Sequence, residues 1–205
     1  MKKLKVVLLF AILLLFSQLS YSQITGSAHD FSGETWNTTG EICIVCHTPH
    51  NAMTGIADAP LWNHQLSTAT FTLYSTGTLD ATMGQPDGSS KLCLSCHDGT
   101  VALENFGGVT TGTTEITGDA LIGTDLSNDH PVSFTYNTAL ATADGELEDP
   151  STGLSGLGGT IDDDMLISGK MQCSSCHDVH NTAGINYMLL KSNSASALCL
   201  TCHIK

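Results

Sequence analysis

Eight cysteines stand in four pairs, and a histidine follows each pair at once: Cys43-Ile-Val-Cys46-His47, Cys93-Leu-Ser-Cys96-His97, Cys173-Ser-Ser-Cys176-His177 and Cys199-Leu-Thr-Cys202-His203. No cysteine lies outside these pairs. Two thiols with two residues between them, wound as one helical turn, are set to close thioethers on the two vinyl groups of one porphyrin edge. The next residue then lies under the ring centre, where an imidazole nitrogen can bind iron. This is the covalent haem-attachment signature. A disulfide or redox dithiol also uses Cys-x-x-Cys, and zinc uses paired knuckles of that spacing. Neither demands a histidine directly after the second cysteine, and neither produces it at every pair. The sequence therefore predicts four covalently bound haem c groups on Cys43, Cys46, Cys93, Cys96, Cys173, Cys176, Cys199 and Cys202. His47, His97, His177 and His203 are the proximal iron ligands.

What fills the sixth position of each iron is the next question. Of nine histidines, five remain: His29, His50, His64, His130 and His180. They are the distal candidates, with four of the five expected to ligate. His50 follows His47 by three residues, and His180 follows His177 by three, so each pair shares nearly one face of a turn. The porphyrin on His47 would stand between His50 and the far side of its own iron. His50 can therefore reach only a second haem, or hydrogen-bond a propionate, and the same holds for His180. His29 (in Ala28-His29-Asp30-Phe31), His64 (in Leu61-Trp62-Asn63-His64) and His130 (in His130-Pro131-Val132) are candidates against the plainer reading of structural histidines. Met ligation would raise the potential, but histidine suffices. Met53, Met83, Met165, Met171 and Met188 are instead expected to pack on porphyrin. An iron with imidazole on both faces has no place for substrate, and no motif histidine is replaced by lysine. The expectation is electron transfer, with no catalytic residues and no enzyme activity.

These ligands must be held by a chain poor in large apolar residues and rich in Gly and Thr. Four haems on this length lie close together, and porphyrins are expected to form the core. The predicted fold class is that of a multihaem c-type cytochrome: loop-rich, with short α-helices and minor β. Short helical turns are expected at each cysteine cluster. Residues 99–129 read as loop with a short hairpin, and 145–170 as loop ending in a solvated turn, Asp162-Asp163-Asp164. A calcium site is the weaker alternative for that acidic run. Cys43-Ile-Val-Cys46-His47-Thr-Pro-His50-Asn51 repeats as Cys173-Ser-Ser-Cys176-His177-Asp-Val-His180-Asn181, each followed by a plainer motif. The pattern implies a duplicated two-haem unit, about 23–130 and 131–205, within one domain spanning 23–205.

The first residues bear on location. Lys2, Lys3 and Lys5 precede an apolar run from Val6 to Phe16 and a polar stretch to Gln23. That order predicts a secretory signal peptide over 1–22, cleaved after Ser22. The apolar run falls short of the ~20 residues that span a bilayer, and no cysteine stands at the cleavage point for a lipid anchor. The expected location is secreted, extracellular or on the cell surface, with the periplasm as the alternative. Seven Lys and no Arg face 20 acidic residues, and the signal peptide takes three of those Lys. Such a surface repels nucleic acid and anionic membrane. An acidic composition can mark disorder, but the spread of apolar residues and the Cys/His content oppose it.

The doubled motifs at 43–51 and 173–181, with Ala28-His29-Asp30-Phe31, Leu61-Trp62-Asn63-His64 and His130-Pro131-Val132, resemble the doubled-CxxCH multihaem cytochromes. In length, haem number and export the chain is similar to outer-surface tetrahaem cytochromes that polymerise into extracellular nanowires. The resemblance spans roughly residues 26–205. It implies a head-to-tail homopolymer with a continuous haem chain, passing electrons to other redox proteins or extracellular acceptors. It also implies that a histidine of one protomer completes a haem of the next, and His50 matches that role. A monomeric periplasmic electron shuttle is the competing reading.

Overall fold

In the computed structural model, which describes residues 24–204, the backbone winds chiefly where the cysteines are. The signal-peptide expectation for 1–22 lies outside the described residues. Three motifs form single 3-10 turns, Cys43–Val45, Cys173–Ser175 and Cys199–Thr201. The following histidine N–H closes each turn on the first cysteine's carbonyl, at 2.8 Å for His47, 3.1 Å for His177 and 3.0 Å for His203. The second motif instead ends a full helix, α1 (Gly88–His97). The described chain is otherwise loop-rich, as the sequence implies. No described helix is long and apolar enough to cross a membrane.

Two further helices are fixed by their ends. In α2 (Thr138–Asp144) the Asn137 side chain accepts from Leu140 N–H, and Gly145 stops the helix at φ 75°. The acidic run forms the single helical turn α3 (Ile161–Asp164), with Asp162, Asp163 and Asp164 all exposed, as the sequence implies. Thr160 and Asp163 form a reciprocal capping box, and three carboxylates in a first turn suit the positive end of a helix. Strands β1 (Phe134–Thr135) and β2 (Lys170–Met171) pair antiparallel, Phe134 opposite Met171.

The hairpin expected within 99–129 does not form. The bridges of this stretch run outward, Phe106 to His64 and Asp125 to Thr72. The Glu104 carboxylate accepts the Thr113 and Thr114 N–H groups that a neighbouring strand would have used.

Side chains form two modest cores. One gathers Phe134, Tyr136, Ala141, Ile161, Met165, Leu166, Met171, Leu198 and Cys202; the other is Phe71, Leu94 and Leu126. Met165 and Met171 are enclosed by these side chains, at 1% and 5% exposure, which corrects their assignment to porphyrin packing. Unbranched thioethers fill irregular gaps among branched neighbours, and that is their use here.

Gln172 ties the second motif to the third. Its Oε1 accepts from Ser90 N–H (3.2 Å) and Ser133 Oγ (3.1 Å), and its Nε2 donates to Asp87 Oδ1 (2.9 Å). Ser90 Oγ accepts from Cys173 N–H at 2.9 Å, and Lys170 pairs with Asp87. Gln172 is only 3% exposed, so Gln172→Leu strands buried partners. A loss of about 1–3 kcal/mol is expected for each orphaned group. Denaturant titration of the holoprotein checks it, and an unchanged midpoint would refute the clamp.

Candidate haem-binding site

The four motifs share one supporting arrangement. Beside each histidine runs a segment distant in the sequence that grips the motif through main-chain atoms. His47 Nδ1 bonds the Pro60 carbonyl at 2.6 Å, His97 Nδ1 that of Ala120 at 2.7 Å, and His177 Nδ1 that of Tyr187 at 2.9 Å. Three residues further on, Asn63 N–H donates to Cys46 O and Leu190 N–H to Cys176 O, both at 2.9 Å. Glu148 N–H makes the matching bond to Cys202 O at 2.9 Å, and Ile204 N–H donates to Glu146 O at 2.8 Å. At the second motif Ile122 and Gly123 N–H both donate to His97 O.

An Nδ1–H donated to a carbonyl fixes the tautomer and leaves the Nε2 lone pair for a metal. The grip also strains the chain. Leu61, Tyr187 and Met188 have φ of 56°, 60° and 55°, a region bulky side chains avoid unless the surroundings hold them there.

The structure brings three distal candidates opposite motif histidines. His29 faces His97 at 6.1 Å between ring centroids, His180 faces His47 at 6.2 Å, and His130 faces His203 at 6.4 Å. An imidazole nitrogen lies about 2 Å from a bound metal and about 1.1 Å from its ring centre. Two imidazoles on opposite faces of one ion therefore place their centroids about 6 Å apart. His130 Nδ1 bonds Pro131 O at 2.9 Å, which again frees Nε2. His180 Nδ1 lies 3.9 Å from Asp178 Oδ1. Burial, then the charge of His97, holds the His29 pKa below the ordinary histidine value, favouring the neutral ring. Among the described residues no group of three or more His, Cys, Asp or Glu is placed around a bare ion. Two facing imidazoles are the donor set for an iron whose other four positions are porphyrin nitrogens.

The other two candidates sit differently. His64 is fully buried, its ring against Trp62 and within 3.6–3.8 Å of Cys96 Sγ. Its two nitrogens face the Gln65 and Ala102 carbonyls at 2.9 and 3.1 Å. Burial holds its pKa low. His50 is exposed, and its bonds among the described residues are main-chain ones to the Thr48 hydroxyl. Among the described residues no imidazole stands at pairing distance from His177.

Burial governs the state of most of the thiols. All eight are free, and burial pushes the second cysteine of every motif upward: Cys46 and Cys202 to about 11, Cys96 to about 12, and Cys176 in the same direction. A hydrogen bond between the Cys93 and Cys173 thiols, with burial, holds Cys93 well above the usual range and lowers its partner. The second and third motifs are also joined by the Ser89 and Ser174 hydroxyls, 2.6 Å apart. Two buried polar atoms, Trp62 Nε1 and Asn181 Oδ1, lack a protein partner among the described residues. They adjoin the first and third motifs, where a polar cofactor edge would satisfy them. The donor set, the freed Nε2 atoms and these orphans all fit haem.

Pro60, Ala120 and Tyr187 were not singled out in the sequence, because a main-chain carbonyl carries no residue code. A trace existed only at Leu61-Trp62-Asn63-His64, which drew attention for His64.

The family described as the doubled CXXCH motif matches residues 167–205, the third and fourth motifs with the turn before them. No curated protein matches the chain. The motif match and the ligand geometry together describe a multihaem c-type cytochrome-like chain that binds haem covalently and is suited to electron transfer.

Proposed function

We propose that the chain carries four bis-histidine haems and moves electrons outside the cytoplasm as the subunit of an extracellular cytochrome filament. The three imidazole pairs at 6.1–6.4 Å carry this reading. In this reading His29, His180 and His130 are the distal ligands of the second, first and fourth haems. When bound, each haem iron exchanges one electron between its ferric and ferrous states. The protein's part is to hold both axial imidazoles in place, so that no iron is open to substrate and the chain is not an enzyme.

His64 is the spare histidine. Protein encloses it completely, whereas a ligating ring must keep one edge open to porphyrin. The third haem, on His177, then needs a sixth ligand. His50 is exposed, its ring has no hydrogen bond among the described residues, and spacing bars it from its own iron. It serves the His177 haem of a neighbouring copy, and such a head-to-tail contact propagates into an open filament.

His50→Ala is expected to abolish filaments in electron micrographs and turn one haem high-spin. Intact filaments with unchanged haem spectra would remove the ligand in trans. A native particle of monomer size at high concentration would favour the periplasmic shuttle instead.

A further inference from the structure

The residue before the second cysteine is buried in all four motifs: Val45, Ser95, Ser175 and Thr201. At the fourth motif a charge reaches this position. Lys191 Nζ donates to Thr201 Oγ1 at 2.9 Å and to the Ser155 carbonyl at 2.6 Å, and Thr201 Oγ1 itself donates to Ala197 O at 3.0 Å. The ammonium is therefore seated between two neutral acceptors. The Ser155 loop closes over it, since a Cβ on Gly156 would come within 2.7 Å of Nζ. Among the described residues no carboxylate pairs with Lys191. The acid in this network, Asp164, is turned to Ser155 Oγ and Gly159 N–H. Lys170 is neutralised by Asp87, and Lys91 has no side-chain bond among the described residues to hold its charge at the second motif.

We infer that Lys191 sets the fourth haem at a higher potential than the other three, by fixing an uncompensated positive charge against the motif that carries it. A ferrous haem bears one positive charge fewer than a ferric one. A nearby cation therefore favours the reduced state, more strongly where partial burial limits screening. Among the described residues the other three motifs have no cation fixed against them without a carboxylate partner, Lys91 being unanchored and Lys170 paired, so electrons collect first at haem four.

The inference rests on the four-haem reading, and one experiment separates the two. Holoprotein of wild type, Lys191→Met, Lys191→Gln and Lys191→Arg is weighed to count haems, then titrated spectroelectrochemically. The most positive of the four transitions is expected to fall in K191M and K191Q, while the other three stay and K191R follows wild type. K191Q keeps a donor for Ser155 and Thr201 without the charge, so it answers if K191M fails to mature. Curves that superimpose on wild type, or a common shift of all four transitions, overturn the inference. A mass below four haems in wild type overturns the reading beneath it.

Discussion

Reduced His130→Ala protein will bind one equivalent of carbon monoxide per chain more than wild type, and His64→Ala will bind none more. The His130 ring stands 6.4 Å from His203, its Nδ1–H is engaged by Pro131 O, and its Nε2 is left for the iron. Removing that ring leaves the fourth iron five-coordinate, and carbon monoxide takes an open ferrous position. His64 has the same kind of Nδ1 contact, to Gln65 O, but its Nε2 faces the Ala102 carbonyl and it is fully buried. The contrast is between no uptake and a full equivalent, so a Soret titration of assembled material decides it. Uptake by His64→Ala with none by His130→Ala would exchange their roles.

How much of this was legible in the sequence depends on the range of each interaction. The turn at every motif is local: the thioether spacing and the closing bond from His47 to Cys43 involve five consecutive residues. The pairing of His180 with His47, or of His130 with His203, joins segments far apart in the chain. Counting histidines could limit that choice but not make it. Burial separates the remaining two only in the folded chain, where His64 is enclosed and His50 lies outside. The acidic run is local too: charge keeps Asp162, Asp163 and Asp164 exposed, and the neighbouring Thr160 hydroxyl winds them into one helical turn. Met165 and Met171 were given to porphyrin because the side-chain core was expected to be poorer than it is; Phe134, Tyr136 and Ile161 supply one. The carbonyls of Pro60, Ala120 and Tyr187 had no sequence signal at all, although they set the orientation of the His47, His97 and His177 rings.

Produced without haem attachment, the chain is expected to give the circular dichroism of a disordered polypeptide, with no cooperative melt and rapid proteolysis, while holoprotein resists all three. The described helices are α1 of ten residues, α2 of seven and α3 of four, and the sheet pairs two residues with two. Isolated helices below about 12–15 residues are marginal in water, and a two-stranded pairing does not stand alone. Ordering each residue costs about 1–2 kcal/mol of backbone entropy. Burying one large apolar side chain contributes about 1.5–3 kcal/mol, and the two cores hold only a small minority of the described residues. The remaining loops need other anchors. In the haem-bound reading those anchors are the thioethers and the axial bonds, which tie His29 to the second motif, His180 to the first and His130 to the fourth. Without them the strained Leu61 and Met188 conformations have nothing to hold them, and the segments gripping the motif histidines are free to leave. A haem-free chain that melts cooperatively would show the side-chain cores to be sufficient and would remove haem from the folding account.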